Sequence, residues 1–281
     1  MTVADWAFYA FSIVALLAAL MVTVSRNPVH SVLWLILTFF SSAGLMVLLG
    51  EVVVRSGVCD GFIGNRILTA YRQAAEYLVE DGASPLQVDR AMRVFGMPLG
   101  PFEVSDMAGL QIAWARRKAK AATRDPLVRY VDIADKLCEA GRFGQSTGKG
   151  WYLYEGRKPV EDPEVSALIA AERSLKGIKP RSFSDEEIST RLLVAMANEG
   201  AKILAEGVAL RPSDIDVVKL FGYGFPRWEG GPMHWADRFG LAALRDAVKS
   251  YAPQAPGFWV PAPNLEKLIK EKKTFADLND V

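Results

Sequence analysis

The chain has 281 residues with 33 basic and 32 acidic side chains, a net charge of +1, which excludes a partner chosen by bulk charge, nucleic acid above all. Its two cysteines, Cys59 and Cys138, lie 79 positions apart and fit neither a disulfide framework nor a metal-ligand spacing. A reduced setting is implied, and no metal is expected.

Charge is spread unevenly. Residues 1–50 hold two charged side chains, Asp5 and Arg26, so a boundary is expected near Gly50. Trp6 to Val24 and Val29 to Leu49 are near-continuous apolar runs, each with about the 20 residues that span a bilayer as a helix. Between them Ser25-Arg26-Asn27-Pro28 forms a polar break, its proline unfit for a helix interior. The pattern predicts a transmembrane hairpin over 1–50 and not a cleaved signal peptide, because the start lacks basic residues and a second span follows. Arg26 draws the loop toward the cytoplasm, whereas Arg55, Arg66 and Arg72 draw the following part there. We expect a membrane-anchored protein with its remaining domains in the cytoplasm.

After Gly50 the pattern becomes that of a soluble helical protein. Val52-Val53-Val54 looks like a strand remnant. Ile67, Leu68, Tyr71, Ala74, Ala75 and Leu78 recur at helical spacing. Asp81-Gly82-Ala83-Ser84-Pro85 ends that helix and starts another, with Ser84 as N-cap and Pro85 at the first helical position. Val88, Met92 and Val94 are its expected apolar residues, and Gly96-Met97-Pro98 its stop.

The same plan recurs about 128 residues later. Asn65-Arg66-Ile67-Leu68 corresponds to Thr190-Arg191-Leu192-Leu193, and Pro85 and Asp89 to Pro212 and Asp216. Gly96-Met97-Pro98 corresponds to Gly224-Phe225-Pro226, Pro101 to Pro232, and Asp106 through Leu110 to Asp237 through Leu241. Agreement at Gly and Pro matters most, because these residues fix backbone shape. We expect helical copies at 51–155 and 186–281 and a Lys-, Glu- and Pro-rich linker at 156–185. Pairing of the copies would bury the apolar face that each exposes alone.

Four motifs carry a family resemblance: Gly57-Val58-Cys59-Asp60-Gly61-Phe62-Ile63-Gly64-Asn65-Arg66, Phe95 to Phe102, Gly141 to Tyr152, and Gly222 to Met233. In this order they resemble the C-terminal part of the 3-hydroxyacyl-CoA dehydrogenases, especially the multifunctional β-oxidation enzymes that carry this domain twice. The resemblance implies a mainly α fold without a Rossmann domain, an acyl-CoA substrate, and hydride transfer to NAD. The family's catalytic histidine and glutamate and its dinucleotide glycines lie in a nucleotide-binding domain; no Gly-x-Gly-x-x-Gly or βαβ pattern occurs here. No cofactor-binding residue is therefore assigned. By resemblance Asn65 takes a supporting catalytic role near substrate and histidine. An amide suits it, since it offers donors and an acceptor without titrating. The plainer reading makes Asn65 the N-cap of a helix starting at Arg66.

Residues 5–50 have a second resemblance. Phe8-Tyr9, Ser25 to Leu33 with its Arg-Asn-Pro-Val-His-Ser core, Phe39-Phe40 and Ala43-Gly44-Leu45 are similar to the start of subunit J of NADH-quinone oxidoreductase. Members of that family continue through further spans, and none is found here; His30 is read as an interfacial loop residue.

Other candidates are weaker. His234 and Asp237, three apart, imitate a dyad, but His234 stands where the first copy has Glu103. Gly148-Lys149-Gly150 fails the phosphate-loop pattern, since Gly150 stands where Ser or Thr belongs; a turn before Trp151-Tyr152-Leu153-Tyr154 is expected. Arg116, Arg117, Lys118 and Lys120 are read as a solvated helix face before a CoA-phosphate site. Three functional readings follow. The first is the helical, substrate-side and dimerisation portion of a 3-hydroxyacyl-CoA dehydrogenase, inactive alone and open to a nucleotide-binding domain in trans. The alternatives are a membrane component of NADH-quinone oxidoreductase, and a fused or truncated reading frame.

Overall fold

The computed structural model describes residues 3–25, 28–48, 54–125, 128–156 and 158–280. Arg26 and Asn27 of the expected polar break, Gly50, and Val52 and Val53 of the expected strand remnant lie outside them. Two compact units divide the chain, one ending at Arg55 and the other starting at Ser56.

In the first unit, α1 (Val3–Val24) packs on α2 (Pro28–Leu48). Ser31, early in α2, donates to the Val22 carbonyl late in α1 at 3.0 Å. Gly44, late in α2, lies against the Phe11 ring, early in α1. The two helices are therefore antiparallel. Their outward positions, including Leu16, Leu17, Leu20, Phe39 and Phe40, are exposed. Within α1, Trp6–Val24 is long and apolar enough to cross a bilayer; the apolar part of α2, Pro28–Ser42, is shorter.

The second unit is almost entirely helical. Its helix α3 (Gly64–Asp81) buries Ile67, Tyr71, Ala74, Ala75 and Leu78, the apolar stripe expected of its sequence. Ser84 caps α4 (Pro85–Phe95), accepting from Gln87 N at 3.1 Å with Pro85 at the first helical position. Val88 and Met92 are buried in α4, but Val94 is 77% exposed. Two residues beyond Met92, Val94 points to the opposite side of the helix, so it leaves the expected apolar face.

Helices α5 (Pro101–Ala108), α6 (Leu110–Ala119) and α7 (Ile133–Glu139) follow, then an antiparallel hairpin of β1 (Leu153–Glu155) and β2 (Lys158–Val160). The span 156–185 is more than a bare connector. It contains β2 and α8 (Pro163–Leu175), which starts at a capping Asp162 accepting from Glu164 N at 2.9 Å. Arg173 of α8 reaches the Ala83 carbonyl at 2.9 Å, and α8 packs on α3. The chain continues through α9 (Asp185–Ala205), α10 (Pro212–Gly222), α11 (Pro232–Phe239), α12 (Leu241–Tyr251) and α13 (Leu265–Glu271).

The corresponding aspartates Asp89 and Asp216 each close the start of a following helix. Asp89 of α4 accepts from Phe102 N at 2.9 Å and Glu103 N at 3.0 Å, closing the N-terminus of α5. Asp216 of α10 accepts from Met233 N at 2.7 Å and His234 N at 3.1 Å, closing α11. In both, a carboxylate meets amides that have no partner within the helix, where the helix dipole favours negative charge. Asp106 accepts from Trp151 N and Tyr152 N at 2.9 and 3.1 Å; Asp237 accepts from Phe275 N and Ala276 N at 2.7 and 2.9 Å. A Cβ at Gly100, Gly150 or Gly231 would collide with Asp89, Asp106 or Asp216 respectively. Glycine at these positions lets the carboxylate approach.

The halves pack reciprocally. Helix α3 lies on α9, α4 on α9, and α10 on α3. Gly96 rests against Pro226, and its counterpart Gly224 rests against Pro98. Such i-to-j and j-to-i contacts are those of a two-fold interface.

Candidate functional site

The stretch from Ser56 to Arg66 leads from a contact with the second half into α3. Ser56 bridges Ala209, and Gly57 N donates to the Val208 carbonyl at 2.7 Å. Phe62 N then donates to the Cys59 carbonyl at 3.2 Å, with φ of 88° at Gly61 and 49° at Phe62. A positive φ at a phenylalanine is strained backbone, held only where the surroundings over-determine it. Buried Ile63 pins one side of this turn, while Val58 and Phe62 are 92% and 54% exposed.

Asp60 in the same turn is gripped from α6. Arg116 and Lys120 both reach its carboxylate at 2.6 Å, and Lys120 foremost, then Arg116, holds that carboxyl below its usual range. Arg117 pairs with Asp135 at 2.6 Å, and the Lys118 ammonium lies 3.5 Å from the Trp114 ring centroid. The basic cluster is thus taken up by the protein itself. The two pairs at Asp60 are largely exposed, so they orient the turn more than they stabilise it.

Helix α3 starts at Gly64, with Ile63 in the capping position and no side-chain cap. The N-cap reading of Asn65 is therefore corrected: residues 61–63 already bend the chain, and the helix begins before Asn65. Its main-chain N–H reaches the Gly61 carbonyl at 3.1 Å, and its carbonyl accepts from Thr69 Oγ1 at 2.8 Å. The exposed side chain is left for other work. Its Oδ1 accepts from Tyr223 Oη at 2.8 Å, a bond between the two halves.

Arg66 fastens the same end of α3 to α9, donating to Glu199 Oε1 at 2.6 Å and Glu206 Oε1 at 2.7 Å. Its guanidinium holds the Glu206 carboxyl below its ordinary value. Tyr223 follows α10 immediately, and Phe221, 64% exposed, lies two residues before it. The Lys219 ammonium sits 4.3 Å from the Tyr223 ring centroid. Lys219 is 2% exposed and has no ion-pair partner among the described residues. Burial, helped by the nearby Arg72 charge, pulls its pKa down to about 7.

The remaining candidates have structural roles. Asp237 spends its carboxylate on Phe275 and Ala276 amides, and exposed His234 donates its main-chain N–H to Asp216. Gly148 to Gly150 forms the turn that carries Trp151 and Tyr152 to Asp106. His30 is an exposed residue of α2 and not of a loop. No group of three or more potential metal ligands occurs among the described residues. The described strands form one antiparallel hairpin. Tyr223 and Lys219 are the site residues that sequence reasoning passed over. Both lie at or beside the Gly222 to Met233 motif, and only packing of one half on the other brings Tyr223 to Asn65.

A family model described as the 3-hydroxyacyl-CoA dehydrogenase C-terminal domain matches residues 61–154 and again 188–276. The peroxisomal bifunctional enzyme of Danio rerio is 43% identical over 240 residues, covering 79% of this chain and 33% of the relative. Its Homo sapiens counterpart is 42% identical over 231 residues, covering 76% and 32%. The chain thus spans about a third of these relatives' length. Among solved structures, the dehydrogenase part of multifunctional enzyme 1 from C. elegans superposes with a TM-score of 0.63 at 25% identity, covering 82% of this chain and 53% of that one.

Proposed function

This chain belongs to the 3-hydroxyacyl-CoA dehydrogenase family through its C-terminal domain, and from that premise we propose that it supplies the substrate-side helical half of such an enzyme. We read the two matched stretches as two copies of the domain paired as an internal dimer; the reciprocal Gly96–Pro226 and Gly224–Pro98 contacts support this. The reaction is the β-oxidation step that converts a 3-hydroxyacyl-CoA to the 3-ketoacyl-CoA. The family's hydride acceptor is NAD. On this reading a nucleotide-binding domain acting in trans brings the acceptor and the catalytic base.

One observation carries this reading. Asn65 stands exposed after a strained turn, its main chain satisfied and its carboxamide tied by the second half. Val58 and Phe62 in the preceding turn, and Phe221 two residues before Tyr223, expose apolar side chains of the kind that suits a docking domain. On the same reading α1 and α2 anchor the protein to a membrane, supported by the length and composition of Trp6–Val24.

Calorimetric titration of the purified chain with acetoacetyl-CoA tests the site. Asn65→Ser is expected to weaken binding about tenfold, the worth of one hydrogen bond to a polar ligand atom. Unchanged affinity would remove Asn65 from the site.

A further inference from the structure

The second half fixes what the Asn65 side chain has to offer. Tyr223 Oη donates to Asn65 Oδ1 at 2.8 Å. The Tyr223 ring fills the space beside Gly64, where any Cβ would fall within it. The buried Lys219 ammonium lies 4.3 Å from the ring centroid, a cation–π contact that holds the ring in place. Asn65 Nδ2 has no hydrogen-bond partner among the described residues. An amide held by nothing turns over freely and presents oxygen or nitrogen alike. Held through Oδ1, it turns only its N–H donors outward.

We propose that Tyr223 is a positioning residue of the Asn65 site, and that by occupying Oδ1 it makes the carboxamide a donor for an oxygen acceptor, the C3 oxygen of a 3-ketoacyl thioester. The inference rests on the reading of Asn65 as a substrate-side residue. It assigns the second copy a direct part in a site that the motifs place wholly in the first. It also gives the site a polarity: an acceptor is taken, and a ligand presenting only a donor at that atom is refused, because it would leave two N–H groups facing it.

The test uses the full chain in detergent, labelled with ¹⁵N-asparagine. Five asparagines give five side-chain amide pairs, and loss of one pair in Asn65→Ser identifies that of Asn65. Tyr223→Phe keeps the ring that fills the space at Gly64 and removes only the hydroxyl. It is expected to move the Asn65 pair while leaving the other four in place, and to weaken acetoacetyl-CoA binding about fivefold to tenfold. The double variant is expected to bind no worse than Asn65→Ser alone, because both changes remove one coupled device. An unmoved Asn65 pair in Tyr223→Phe, or full additivity in the double variant, overturns the proposal. Wild-type affinity in Asn65→Ser overturns the reading beneath it, whatever the Tyr223 data show.

Discussion

Asp89→Ala is expected to destabilise the helical part by about 4 kcal/mol, because it strands three buried donors at once. The carboxylate is fully buried and accepts from Phe102 N, Glu103 N and, at 2.8 Å, Tyr152 Oη. Burial pushes its pKa up to about 7, against the pull of the Phe102 amide, the Tyr152 hydroxyl and the Glu103 amide. Alanine leaves the first turn of α5 without its cap and opens a void against Gly100, which is shaped to the aspartate. The counterpart Asp216→Ala should cost roughly half as much, since Asp216 is only part-buried and serves two amides. Thermal melts followed by circular dichroism compare the two, with a fall of about 10 °C expected for Asp89→Ala. A smaller loss at Asp89 than at Asp216 would contradict the assignment.

Lys219→Met is expected to stabilise the protein by on the order of 3 kcal/mol at pH 6, with the gain fading as pH rises toward 10. The physical cause is a cation buried in the folded state, facing the Tyr223 ring and the Arg72 charge with no carboxylate in ion-pair range among the described residues. Its folded pKa is about 7 against an ordinary 10.5. Between those values the unfolded chain binds the extra proton, so the wild type gains stability as pH rises; below about 7 the full penalty stays. Methionine fills the space without the charge. Melts of both proteins from pH 6 to pH 10 measure the difference, and a gap that stays constant or widens with pH would show that Lys219 is not the uncompensated cation.

Much of this architecture is legible in the sequence, and the reasons are local. Ser84-Pro85 is a helix start whose cap and first residue act within three positions. Asp89 with Asp216, and Asp106 with Asp237, stand out because Gly and Pro hold the two halves in register. The losses occur where local rules compete or where contacts are distant. Asp162-Pro163 signals the start of α8, yet surrounding Lys, Glu and Pro give that span the composition of a linker. Asn65 has the chemistry of an N-cap, but the positive φ at Gly61 and Phe62 starts the helix ahead of it. Tyr223 comes 158 positions after Asn65, and nothing local to either residue predicts their bond. Motif reading singled out Asn65, and packing revealed what holds its side chain.

We propose that the helical half contributes to a dehydrogenase beside a nucleotide-binding partner, with Asn65 as its contribution. The direct measurement is NADH formation from 3-hydroxybutyryl-CoA and NAD, by the purified full chain alone and with a nucleotide-binding domain prepared from one of the multifunctional relatives. No turnover by the chain alone is expected, with turnover on adding the domain and loss of most of that rate with Asn65→Ser. Turnover by the chain alone, or a rate from the added domain that is the same with and without the chain, would contradict it.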